Sequence, residues 1–119
     1  MINGAHLLIY AEDAEKARAF FRDVLGFASV DAGQGWLIFA LPPAELGIHP
    51  AAGEVRHELY LMCDDIAATV EQLGRKGVTL AQEVRDEGWG LVTALEIPGA
   101  GRLGLYQPRH PTALAMSRG

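Results

Sequence analysis

His6-Leu7-Leu8-Ile9-Tyr10-Ala11-Glu12-Asp13 returns in outline, 52 residues on, as Glu58-Leu59-Tyr60-Leu61-Met62-Cys63-Asp64-Asp65. In each copy a polar residue opens an apolar run of strand character, and seven residues later an Asp precedes a helical pattern. The ends repeat too. Leu46-Gly47-Ile48-His49-Pro50 closes the first half, and Leu103-Gly104-Leu105-Tyr106-Gln107-Pro108 closes the second. Two half-domains of like pattern place matching residues around a pseudo-twofold axis, where a site can be built from both.

Working outward, residues 5–11 read as a strand, and Asp13 as the N-cap of a helix. Behind it Ala14, Ala17, Phe20, Phe21, Val24 and Leu25 recur at helical spacing until Gly26 ends the pattern. Strands are expected at 27–31, 36–41 and 45–49, separated by Gly33-Gln34-Gly35 and Pro42-Pro43. The second half repeats the order. A strand at 57–63 leads to Asp65 as cap, then a helix through Ile66, Val70 and Leu73 with Gly77 as stop. Strands at 78–84, 91–96 and 102–106 follow, the last two joined by Pro98-Gly99-Ala100-Gly101.

The expected class is α+β, with two βαβββ modules in tandem, about 1–52 and 56–108, in one domain spanning 1–119. Neither module covers its own apolar sheet face, so two curved, mixed, four-stranded sheets should join around a central cleft, each backed by a helix. Residues 109–119 read as a short, partly mobile tail.

Composition narrows the function. Half the residues are hydrophobic and about a fifth are charged, the profile of a globular chain. Fifteen acidic residues against ten basic ones, with no Lys/Arg cluster, argue against nucleic-acid binding. No basic leader opens the chain, and no apolar run reaches the ~18 residues of a membrane span. The single cysteine, Cys63, suits a reducing compartment, so the expected location is cytoplasmic.

His6 shares a strand face with Leu8 and Tyr10. It reads either as a half-buried histidine satisfied locally or as a catalytic base or metal ligand. Glu58, flanked on its face by Tyr60 and Met62, needs a partner if buried: His6, a metal, or Arg102. Its plainer reading is a solvent-facing strand start beside Arg56-His57. Trp36, Trp89, Tyr60 and Tyr106 are candidate walls of a small-molecule pocket or ordinary packing, with His49 and Gln107 as polar anchors. His110 belongs to the tail and is assigned no role, and Cys63 reads as an inert packed thiol. No phosphate loop, nucleophile elbow or Cys/His zinc pair is present.

With these residues in view, the chain resembles the vicinal oxygen chelate family, which includes glyoxalase I, bleomycin-resistance proteins, fosfomycin-resistance enzymes and extradiol dioxygenases. The resemblance rests on the His6 strand with Asp13, "AFFRDVLGF" (19–27), "DDIAATVEQLGRKGV" (64–78), "EGWG" (87–90) and "LGLYQP" (103–108). It implies four symmetric metal-ligand positions, which fall here on His6, Gly47, Glu58 and Gly104. Glycine has no side chain to coordinate with, so only His6 and Glu58 remain as catalytic or metal-ligating candidates. A bulge would bring Glu45 or His49 inward, and a one-residue slip would bring His57 in place of Glu58.

The expectation is therefore a protein without a metal cofactor that binds a small, largely planar organic molecule in the cleft between its sheets. The alternative is a lyase, isomerase or dioxygenase using one divalent Zn, Ni, Mn or Fe ion on a substrate with vicinal oxygens. A third reading is a metal-free enzyme with His6 or Glu58 as general base. The resemblance also implies a homodimer, with no nucleic-acid or membrane partner.

Overall fold

The computed structural model describes Met1 and residues 6–113. Its elements are α1 (Ala14–Ala19), a π-helical turn (Phe20–Val24), β1 (Ser29–Asp31), β2 (Leu37–Phe39), β3 (Tyr60–Met62), α2 (Ile66–Arg75), β4 (Leu80–Asp86), β5 (Gly90–Ile97) and β6 (Gly101–Pro108). No helix among the described residues is long and apolar enough to cross a membrane.

Both helices begin where the sequence places them, because their caps are local. The Asp13 carboxylate accepts from the Lys16 N–H at 3.1 Å, and Asp65 accepts from Ala68 N–H at 3.1 Å. Gly26 and Gly77 follow the helices at φ of 73° and 85°, a backbone setting that costs other residues strain.

The second half forms a mixed four-stranded sheet in the order β3-β6-β5-β4, with β3 parallel to β6 and the other pairs antiparallel. Alternation along β5 and β6 sends Thr93, Leu95, Leu103 and Leu105 to one face, where they lie at the centre of the core. Ile66, Val70 and Leu73 of α2 pack on Leu95 and Leu105. Thr93, 1% exposed, donates its hydroxyl to the Gln82 carbonyl at 2.7 Å, beside the register shifts that break the β4–β5 ladder.

The first half departs from the expected module. Its sheet is a two-stranded ribbon, β1 paired antiparallel with β2, and the two sheets do not curl into matching four-stranded walls. Residues 6–11 and 45–49, expected as the outer and closing strands, join no ladder. An apolar run is a strand only when another strand meets its N–H and C=O groups, and neither segment joins one among the described residues. Leu7, Leu8, Ile9 and Tyr10 are consequently exposed, as are Leu46 and Ile48.

The first helix joins the halves. Phe21 packs its ring against Phe27 and Phe39, at 6.0 and 5.7 Å between centroids, while Phe20 and Phe21 share a core cluster with Ile97 and Leu103. The Asp13 N–H donates to the Gly99 carbonyl and the Lys76 ammonium to the Val24 carbonyl, fastening one half to the other.

Candidate functional site

The face of the four-stranded sheet opposite the helices carries Val92 and Ala94 of β5 and Gly104 and Tyr106 of β6, with Tyr60 and Met62 of β3 alongside. Register places Gly104 between Tyr60 and Ala94. The Tyr60 ring lies over Gly104: a Cβ built there would come within 2.6 Å of Cε1 and 2.8 Å of Cγ. At Gly90 an added Cβ would meet the Gln107 carbonyl oxygen at 2.8 Å and the Tyr106 ring, at Cδ2, at 3.1 Å. Two glycines thus create the room in which the aromatic rings sit.

Those rings form one cluster. Tyr60 meets Tyr106 edge to face at 5.6 Å, Trp89 meets Tyr106 at 5.4 Å, and Tyr60 meets Trp89 at 6.5 Å, with interplanar angles of 86°, 72° and 88°. His49 reaches the outer edge of Trp89 at 6.5 Å. Burial raises both phenol pKa values, with Glu58 and Glu87 adding to the effect at Tyr60 and Glu45 at Tyr106. Both phenols therefore stay protonated at neutral pH as hydrogen-bond donors. At Tyr60 the Arg56 guanidinium, 3.8 Å from Glu58, works against those carboxylates.

The structure brings Tyr60, His49, Trp89 and Tyr106 together but leaves the other sequence candidates apart. His6 and Glu58 are exposed, and no hydrogen bond or ion pair joins them; Glu58 lies 3.8 Å from Arg56 instead. Trp36 stands on the helix side under the Arg18 guanidinium, 5.1 Å from its ring centre. The Gln107 amide oxygen accepts the Ile66 N–H at 2.9 Å, a second cap on α2. Cys63 is half-buried, and burial pushes its thiol pKa up, in keeping with an inert role.

A metal does not fit this donor set. Among the described residues no three His, Cys, Asp or Glu side chains are grouped to hold one. At Gly104 the Tyr60 ring occupies the space a ligating side chain would need.

One participant was missed. His110 sits at the hydroxyl end of Tyr106, its Nε2 3.3 Å from that hydroxyl, with ring centroids 6.0 Å apart and planes 26° from parallel. Its position after the last strand pattern, next to Pro111, gave no periodic signal. A hollow of about 550 Å³ lies elsewhere, bordered by Phe20, Val24, Lys76, Ile97 and Arg102. It is an open groove between the halves, and the ring cluster is not part of it.

Comparison with known proteins bears on this geometry. The family model of the glyoxalase/bleomycin resistance protein/dioxygenase superfamily matches residues 4–98. TnmS3, an antibiotic binding protein from Streptomyces sp. CB03234, is 27% identical with a TM-score of 0.66, covering 90% of this chain and 97% of its own. A glyoxalase/bleomycin resistance protein from the same Streptomyces is 26% identical with a TM-score of 0.57, over 83% of this chain and 95% of its own. A superfamily member from Sphaerobacter thermophilus DSM 20745, 23% identical with a TM-score of 0.63, shares the fold over 89% of this chain and 98% of its own. No curated protein sequence matches the chain. With 4–98 matched by the family model and the fold shared over most of the chain, the chain belongs to the glyoxalase/bleomycin resistance protein/dioxygenase superfamily.

Proposed function

We propose that this protein binds a small, largely planar organic molecule on the surface formed by Tyr60, Trp89 and Tyr106, in the cleft between its sheets. The observation that carries the reading is the Tyr60 ring lying over Gly104, where the resemblance implied a metal ligand. An aromatic platform stands in that place, and apolar surface with a few oriented donors is what holds a planar ligand. The similarity to an antibiotic binding protein supports the same reading.

His6, Glu58, His49, Trp36 and Gln107 are the other groups that the sequence offers as ligand contacts. Of these, His49 has the best claim to a ligand contact, since its ring already meets Trp89. We further propose that the protein pairs as a homodimer through the uncovered apolar segments of its first half.

The test is titration of a W36F protein, whose sole tryptophan is then Trp89, with a panel of planar polycyclic compounds. Saturable quenching that survives a metal chelator and is lost in Y60A is the expected result. Turnover of a substrate only with an added divalent cation sinks the reading.

A further inference from the structure

Both ring nitrogens of His110 have partners, and the first fixes what the second can do. Nδ1 lies 2.8 Å from the Pro111 carbonyl oxygen. A carbonyl only accepts, so Nδ1 carries a hydrogen and donates it. In the neutral imidazole the other nitrogen, Nε2, is then bare and acts as an acceptor. Nε2 lies 3.3 Å from the Tyr106 hydroxyl, so the phenol donates its single proton to His110. The residue before it helps to hold this placement. The Arg109 N–H donates to the Trp89 carbonyl at 2.9 Å, and its guanidinium reaches Asp86 at 2.8 Å.

We propose that His110 sets the polarity of the ligand site: by taking the Tyr106 proton it leaves the phenol oxygen an acceptor, and the cleft selects planar ligands with a hydrogen-bond donor at that edge. This rests on the binding function proposed above and narrows its ligand class to aromatic amines and N–H heteroaromatics.

A hydroxyl has one proton and two lone pairs, so with the proton committed only acceptance is left. Tyr106 is half-buried, not sealed, which leaves its oxygen open to a ligand edge. An ether or carbonyl brought to that oxygen sets lone pair against lone pair, unless the bond to His110 breaks. An amine or ring N–H adds a bond and keeps the existing one. A hydroxyl that already donates is also the stronger acceptor, because linked hydrogen bonds polarise one another. Glu45 favours the same ligands, since its charge acts on Tyr106 and an ionised carboxylate only accepts.

The experiment uses full-length W36F protein, held at a pH where the His110 ring carries one proton, and two neutral probes of nearly equal shape. Of these, 2-aminoanthracene offers N–H donors, whereas 2-methoxyanthracene offers an oxygen acceptor alone. Quenching of Trp89 should give the amine a Kd roughly three- to tenfold below that of the ether, the worth of one hydrogen bond. In H110L the Tyr106 proton is free to turn to the ligand, so the preference should vanish or reverse. Y106F, which deletes the oxygen, should bind both probes equally. Long-range proton–nitrogen NMR reads the tautomer with no ligand present. Nδ1 should be the protonated nitrogen, and the Nε2 signal should move toward that of an unbonded ring nitrogen in Y106F.

A His110 ring protonated at Nε2 instead of Nδ1 overturns the proposal. So does a preference for the amine that H110L leaves intact. Saturable but equal binding of the two probes to W36F protein strikes the role of His110 and leaves the aromatic platform standing. Failure of both probes to bind any variant overturns platform and polarity together.

Discussion

At Gly104 one missing side chain decides what the site can be. The residue is half-buried, and the Tyr60 ring lies where its Cβ would project. Adding a methyl therefore does not fill a void; it pushes an aromatic ring off its seat. G104A is expected to lose about 1–3 kcal/mol of stability, the usual cost of overpacking. It should also reduce the near-ultraviolet circular dichroism of the coupled Tyr60, Trp89 and Tyr106 rings; a G104A protein with both quantities unchanged would contradict the placement of Tyr60. Asp86 gives a second test at this scale. The Gly88 N–H and the Arg109 guanidinium hold its pKa below the ordinary 3.8, so its pairing is complete above that value and is lost as pH falls through the lower folded one. Amide exchange at Arg109, corrected for its intrinsic pH dependence, should stay protected from neutral pH down through the ordinary carboxylate range and speed up only below it. Loss of protection already near pH 6 would show that a group other than Asp86 holds Arg109 in place.

Helices were legible in the sequence because their signals are local, and strands were legible only where a partner was certain. Asp13 and Asp65 both cap as expected, each through a bond within its own first turn. The amphipathic spacing that named Ile66, Val70 and Leu73 is the spacing that packs them on Leu95 and Leu105. For residues 6–11 and 45–49, composition supplied strand character and the repeat supplied a register. Pairing, though, depends on chain far away, and Glu45 and His49 are drawn instead to Ala113 and Trp89. The aromatic cluster was half visible: Tyr60, Trp89, Tyr106 and His49 were named, yet nothing in the spacing placed Trp36 under Arg18 or turned Gln107 toward a helix end. That second cap is open to measurement. Ile66 is 3% exposed, so its N–H relies on the Gln107 oxygen. Q107L should cost about 1–3 kcal/mol in urea unfolding, the penalty of leaving a buried donor without a partner. D65A should cost about 1 kcal/mol, the worth of an exposed cap. If Q107L proves neutral, the amide oxygen is not the group that satisfies Ile66.

Across the whole molecule, apolar surface is unevenly shared. In the second half Leu95, Leu103 and Leu105 are buried and the exposed Val84 and Trp89 reach only 41% and 40%, while Leu8, Tyr10, Leu46 and Ile48 of the first half are 63%, 90%, 86% and 87% exposed. A surface of this kind marks an interaction site, and the two strand-like segments that join no ladder among the described residues offer backbone groups as well as side chains. A net charge of −5 works against pairing of identical chains, so apolar contact must supply the attraction. That opposition fixes a direction. Screening weakens the repulsion between like-charged copies, and salt leaves apolar contact intact or strengthens it, so self-association should tighten as sodium chloride rises. An assembly held by ion pairs would loosen under the same change. Sedimentation velocity across a concentration series should show a dimer that becomes more populated with salt. L8E and I48E, which put a carboxylate into the apolar segments, should be monomeric while keeping the helical circular dichroism of the parent. A parent protein that stays monomeric at every concentration and salt level would mean that these segments are covered by something other than a second copy.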